Sequence, residues 1–168
     1  MTAYEGSLRG DGMRVAVVVS RFNGLVTDQL LEGAQQELAD RGVDPDSVTV
    51  VRVPGALELP LAAQRLAAAG DHDAVVCLGA VIRGATDHHI HVGTQCAAGL
   101  QRVQLDTGVP VVLGVLTTDT VEQALERAGA RGVDGANKGS EAAATAIEMV
   151  DLLRQLPKGG GGRTPRGF

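Results

Sequence analysis

Aromatic side chains are nearly missing from this 168-residue chain, which has no Trp, one Tyr and two Phe. Tyr4 and Phe168 lie near the ends, so Phe22 is the only aromatic residue in the body of the chain. The core must therefore be built from Val, Leu, Ile and Ala, and Phe22 needs its own explanation. Cysteine is scarce too. Cys77 and Cys96 are the only two, which excludes a disulfide framework and, with no signal-peptide pattern, points to a reducing cytoplasm. Long apolar runs are absent. Stretches such as AVVV at Ala16 are far too short to span a membrane. Positive charge is in deficit, with 15 Lys and Arg against 20 Asp and Glu and a net charge of −5. That balance argues against a nucleic-acid binder, which would need a basic face. What remains, 44% hydrophobic and 21% charged residues, is the balance of one ordinary globular domain with a real core.

Periodicity divides the body of the chain into alternating elements. Residues 1–12 are polar, contain glycine and show no period, which reads as a flexible lead. The folded domain is expected over 13–157. Residues 158–168, with four consecutive glycines, read as a disordered tail. Val15–Val19 is a short β-branched run, as expected of a strand buried on both faces, and Val48–Val53, Ala74–Ile82 and Val111–Leu116 read as three further strands. Between them, Leu30, Leu31, Ala34 and Leu38 recur at helical spacing before Gly42, and Leu61, Ala62, Leu66 and Ala69 do so between Pro60 and Gly70. A long helix is expected from Asp87 to about Leu105, carrying Val92, Cys96, Leu100 and Val103. Thr120 with Gln123 forms a capping-box pattern that opens a short helix ending at Gly129, and Ala143, Ala146, Ile147, Val150 and Leu153 mark a last helix. Strands alternating with helices mean an α/β sandwich of three layers around a four-stranded parallel sheet. In such sheets ligands bind beyond the carboxyl ends of the strands.

The segments that follow the strands therefore carry the candidate chemistry. After the first strand, Phe22 is either a stacking platform for a flat ring or a packing residue, and Asn23 follows it. After the second, Pro54-Gly55 forces a turn before Ala56, Leu57 and Glu58. Glu58 is either a carboxylate for ligand hydroxyls or an acid complementing a helix N-terminus. After the third, Ala80, Val81 and Ile82 lead to Gly84-Ala85-Thr86-Asp87-His88. Free amides, a hydroxyl and a positive helix end suit a phosphate there. The same helix end favours a neutral imidazole at His88, one able to accept a proton near neutral pH. His88, His89 and His91 invite a metal reading. His88 and His91 share a helix face while His89 points elsewhere, no Cys is near, and Asp87 is a plausible cap. No metal site is assigned. Arg127 either complements a helix C-terminus or grips a phosphate, and Lys138 stands at a helix N-terminus, where it opposes the dipole and suits an anion.

SRFNGLV, VPGALELP, GAVIRGATDHH, PVVLGVLTTDTVEQALERAG and NKGSEAA occur in this order over residues 13–155. In this the chain resembles the lumazine synthase family. The resemblance implies a flavodoxin-like fold and a transferase of riboflavin biosynthesis. That enzyme condenses 5-amino-6-ribitylaminouracil with 3,4-dihydroxy-2-butanone 4-phosphate to 6,7-dimethyl-8-ribityllumazine, phosphate and water, with no metal or organic cofactor. It also implies a homo-oligomer, a pentamer or a multiple of pentamers, with sites between subunits. Carried over residue by residue, it has Phe22 stack on the pyrimidine and Ala56–Glu58 hold the ribityl chain. Ala80–Ile82 line the ring pocket, Ala85 and Thr86 bind phosphate, and His88 shuttles protons. Arg127 and Lys138 come from the neighbouring subunit.

The chain departs from the family pattern in three places. Leu113 stands where many members carry Phe, leaving an aliphatic wall for the ring. His89 and His91 stand where aromatic residues are common. The segment Ala130–Ala136 is longer than in shell-forming members, which favours a pentamer or a pair of pentamers. The alternative on the same scaffold is a flavin- or lumazine-binding protein, or a container, without turnover.

Overall fold

A computed structural model describes residues 1–129 and 137–158. The strands are β1 (Val15–Ser20), β2 (Val48–Val53), β3 (Ala74–Ile82) and β4 (Val111–Thr118), and the helices are α1 (Gly24–Asp40), α2 (Leu59–Ala69), α3 (His88–Thr107), α4 (Val121–Arg127) and α5 (Lys138–Gln155). Single 3-10 turns at Pro45–Ser47 and Ala56–Glu58 precede β2 and α2. The element order is the one the periodicity predicts. β4 runs two residues beyond the expected Leu116, because Thr117 and Thr118 stay paired with Val81 and Ile82.

All four strands are parallel, in the order β2-β1-β3-β4. β1 is buried along its whole length, as its unbroken β-branched run requires. Its odd residues, Val15, Val17 and Val19, face a core layer with α1 and α5, whereas Ala16 and Val18 face α2 and α3. β3 divides the same way, with Val76 and Leu78 toward α1 and α5 and Val75 and Cys77 toward α2 and α3. The flavodoxin-like three-layer sandwich follows from these two faces. At the edge, β2 leaves Thr49, Val50 and Arg52 exposed, and Arg52 Nη1 bonds Asp28 at 2.9 Å.

Local signals place the helix ends. Gly70, at φ 79°, closes α2 in the left-handed region. Thr120 Oγ1 accepts from the Gln123 amide at 3.1 Å, while Gln123 Oε1 accepts from the Asp119 amide at 2.9 Å. Asn137 caps α5 through the amides of Gly139 and Ser140 and also donates to the carbonyls of Gln29 and Ala128. Gly139 lets α5 press on α1: a Cβ there would collide with the Leu30 carbonyl. Residues 1–12 form no helix or strand. Within that segment the Ser7 amide donates to Asp151 at 2.7 Å, and the Gln155 side chain donates to the Glu5 carbonyl at 2.8 Å. The segment 130–136 and the glycine tail from 159 lie outside the described residues. Among the described residues, no helix is long and apolar enough to cross a membrane.

Candidate active site

The strand order places a switch point beside β1. The chain leaves β1 for β2 on one side and returns to β3 on the other, and because all strands are parallel their carboxyl ends meet at one edge. Hydrogen bonds join the three ends. The amides of Arg21 and Phe22 donate to the carbonyls of Val53 (2.8 Å) and Pro54 (3.1 Å), tying the loop after β1 to that after β2. Asn23 ties it to β3, its side-chain amide donating to the Ala80 carbonyl at 2.8 Å. Asn23 itself sits at φ 61°, the only non-glycine residue in the left-handed region among those described, while its carbonyl starts α1. An Asn tolerates that backbone better than other L residues, and the turn it makes pushes Phe22 outward.

A cleft of about 350 Å³ opens over these ends. Phe22, Asn23, Ala56, Leu57, Glu58, Ala80, Val81, Ile82, Thr86 and His88 line it. Phe22 is 72% exposed, so it is no core residue of the single chain. Ala56, Ala80 and Val81 are buried, whereas Leu57 and Glu58 stand exposed on the 3-10 turn. Ala85 lies in the exposed loop between β3 and α3, adjoining the cleft through Gly84 and Thr86. Among the described residues, the amides of Gly84, Ala85 and Thr86 donate to nothing in the chain. They are free for an anion at the amino end of the 20-residue α3. Asp87 occupies the N-cap position without a side-chain cap bond. Thr86 Oγ1 instead accepts from the His88 amide at 3.4 Å.

Leu113, Arg127 and Lys138 are elsewhere. They border a second hollow along the β4 edge, with Glu141, Ala142 and Thr145 of α5, and among the described residues none lines both hollows. Leu113 is 49% exposed. Arg127 Nη1 donates to the Gln123 carbonyl at 3.1 Å, and Lys138 Nζ bonds Glu141 at 2.7 Å. The side chains read from sequence thus fall into two groups, one at the strand ends and one at the sheet edge.

His88 and His91 are both exposed, on the shared face that the helical spacing predicts, while His89 is buried. Among the described residues, no three His, Cys, Asp or Glu side chains are gathered closely enough to hold a metal ion. Sequence reasoning did not place His89 or Val92 at the cleft, yet both line it. The signal was spacing: His89 begins the apolar stripe of Val92, Cys96, Leu100 and Val103. In the core layer with α2 and α3, Cys77 and Cys96 are free and buried. Burial, and for Cys77 also the neighbouring Cys96, raises both thiols, Cys96 to about 11.

A parallel sheet with helices on both faces and a cleft at its switch point define an α/β protein of the kind that takes its ligand at the carboxyl ends of its strands. The chain belongs to the 6,7-dimethyl-8-ribityllumazine synthase family, which matches residues 12–154. A relative from Syntrophus aciditrophicus (strain SB), named 6,7-dimethyl-8-ribityllumazine synthase, is 52% identical over 155 residues, covering 92% of this chain and 99% of the relative.

Proposed function

We propose that the cleft and the β4-edge hollow are two halves of one active site, joined when two copies of the chain meet. The reaction is that of the family. 5-Amino-6-ribitylaminouracil condenses with 3,4-dihydroxy-2-butanone 4-phosphate, giving 6,7-dimethyl-8-ribityllumazine with release of phosphate and water. In the proposed site Phe22 stacks on the pyrimidine, and the backbone of Ala80–Ile82 borders the ring. Ala56–Glu58 holds the ribityl chain, with the Glu58 carboxylate accepting from its hydroxyls. Thr86 and the free amides around Ala85 receive the phosphate. From the second copy, Leu113 closes over the ring while Arg127 and Lys138 neutralise the phosphate. His88 moves the protons that imine formation, phosphate departure and ring closure require. Alignment of two substrates supplies much of the remaining acceleration, a contribution of ~7–11 kcal/mol in well-oriented systems.

The observation that carries the shared site is the separation of the two hollows within one chain. Among the described residues, Arg127 and Lys138 line the second hollow and not the cleft that Thr86 lines. Exposed Phe22, Leu57, Leu61, Ile90 and Leu113 support the same reading, because a monomer would leave them in water. The proposed assembly is a pentamer or a pair of pentamers, and the proposed location is cytoplasmic, which suits two free cysteines.

Mixing subunits tests the shared site. His88→Ala and Arg127→Ala proteins, each impaired alone, are unfolded together and reassembled. Recovery of lumazine formation above either parent is expected, since some interfaces then join an intact cleft to an intact hollow. No recovery in assemblies shown to be mixed places all these residues in one subunit's site and overturns the proposal.

A further inference from the structure

α3 turns one stripe of side chains inward: His89, Val92, Cys96, Leu100 and Val103. Cys96, Leu100 and Val103 are buried in the layer shared with α2, and Val92 packs against it. His89 is the first member and the only histidine of the stripe, and only 8% of it is exposed. Its Nδ1 is shut off from water with no hydrogen-bond partner. An imidazole satisfied within the core would explain a buried histidine, but this ring makes no hydrogen bond among the described residues. Leaving such a nitrogen buried and unpaired is costly, so the ring needs a partner beyond the chain's own described residues. His89 lines the cleft together with Ala56, Leu57 and Glu58, and α3 packs directly on that 3-10 turn.

We propose that His89 is a positioning residue for the hydroxylated chain of the pyrimidine substrate, hydrogen-bonding a ribityl hydroxyl held over Ala56–Glu58. This rests on the lumazine synthase reading of the cleft. A hydroxyl both donates and accepts, so it can pair with Nδ1 whichever ring nitrogen carries the proton. On binding, rotation of the ring about its Cβ–Cγ bond turns that nitrogen toward the ligand. The other parts of the substrates have other places: the pyrimidine beside Phe22 and Ala80–Ile82, the phosphate at Ala85 and Thr86. Glu58 only accepts when ionised, so His89 adds a second and different polar contact to the same chain.

His89→Phe keeps a ring in the stripe and removes both nitrogens, whereas His89→Gln restores a donor and an acceptor. The probes are 6,7-dimethyl-8-ribityllumazine and 6,7-dimethyllumazine, which lacks the chain. His89→Phe should raise Kd for the ribityl compound and KM for the ribityl substrate by roughly 3- to 10-fold, the worth of one neutral hydrogen bond. Kd for the chain-less compound and KM for the butanone phosphate should stay unchanged, and His89→Gln should recover most of the loss. Equal weakening of both lumazines, or a Gln variant no better than Phe, makes His89 a packing residue and overturns the inference. Wild-type protein gives an independent readout that survives a variant's failure to fold. With nitrogen-15 in its imidazoles, the His89 resonances should move when the ribityl compound is added and not when the chain-less one is. Identical responses also overturn the inference. A wild-type protein that fails to accelerate lumazine formation would instead remove the functional reading on which it rests.

Discussion

The cleft at the strand ends and the hollow at the β4 edge are built by opposite means. Backbone makes most of the cleft. Three strand termini are bonded to one another through Arg21, Phe22 and Asn23, and the amides after β3 are left free. Side chains make the hollow: Leu113 on an edge strand, Arg127 at the last turn of α4 and Lys138 at the first turn of α5. The cleft is set in the single chain, because sheet geometry fixes where strand ends lie. Among the described residues, the hollow's cations are held by exchangeable partners, the Gln123 carbonyl and the Glu141 carboxylate. An exposed ion pair of that sort is worth about 0–1 kcal/mol, so Lys138 can exchange Glu141 for a phosphate at small cost. A preformed half and an adjustable half suit a site that is completed by association.

The largest expected effect tests the preformed half. His88→Ala should lower turnover by roughly 10- to 10³-fold while sedimentation shows the assembly intact. An unchanged rate removes His88 as the proton carrier.

Arg127→Ala tests the adjustable half. It should weaken use of the phosphorylated substrate by ~2–3 kcal/mol once the interface excludes water, seen in kcat/KM for that substrate. A loss confined to the pyrimidine substrate would break the division of labour between the two hollows.

Asn23 tests how the cleft is held. Ala at this position loses the bond to the Ala80 carbonyl and keeps a side chain at φ 61°. It should cost ~1–3 kcal/mol in denaturant unfolding, whereas Gly, free of the backbone strain, should cost less. Equal losses would show that the left-handed backbone contributes nothing and the tether everything.

The smallest effect concerns the buried layer between the sheet and α3. Cys77 and Cys96 should resist alkylation in the folded protein at pH 8 and react on unfolding. Burial holds both thiols protonated well past the ordinary cysteine range, Cys96 to about 11. Protons are thus bound more tightly folded than unfolded. The associated stability is complete below a free thiol's value of about 8.5 and is lost as pH rises through the folded values. Ready alkylation of Cys96 would mean that the α3 stripe below His89 is wet.

Much of this was legible beforehand, for local reasons. The central strands β1 and β3 could be read as apolar runs because parallel strands buried on both faces carry no alternation, and the edge strands β2 and β4 because they are valine-rich. Gly70 and the Thr120–Gln123 pair could be read as helix punctuation because their chemistry is confined to one turn. Phe22 drew notice through the absence of other aromatics, and the order of five motifs gave the family resemblance. His89 was missed because its identity suggested solvent while its position in the stripe placed it inside.

By itself the sequence determined the order of elements, the parallel layering and the residue types at each strand end, since periodicity, capping and β-branching act over a few neighbours. Only the tertiary structure decided that Asn23 reaches Ala80, that His89 is sealed beside the Ala56–Glu58 turn, and that Leu113, Arg127 and Lys138 gather away from the cleft. Those facts depend on strand order and on which faces of packed helices meet. These are long-range choices, made by burial across the whole sheet rather than by any local pattern.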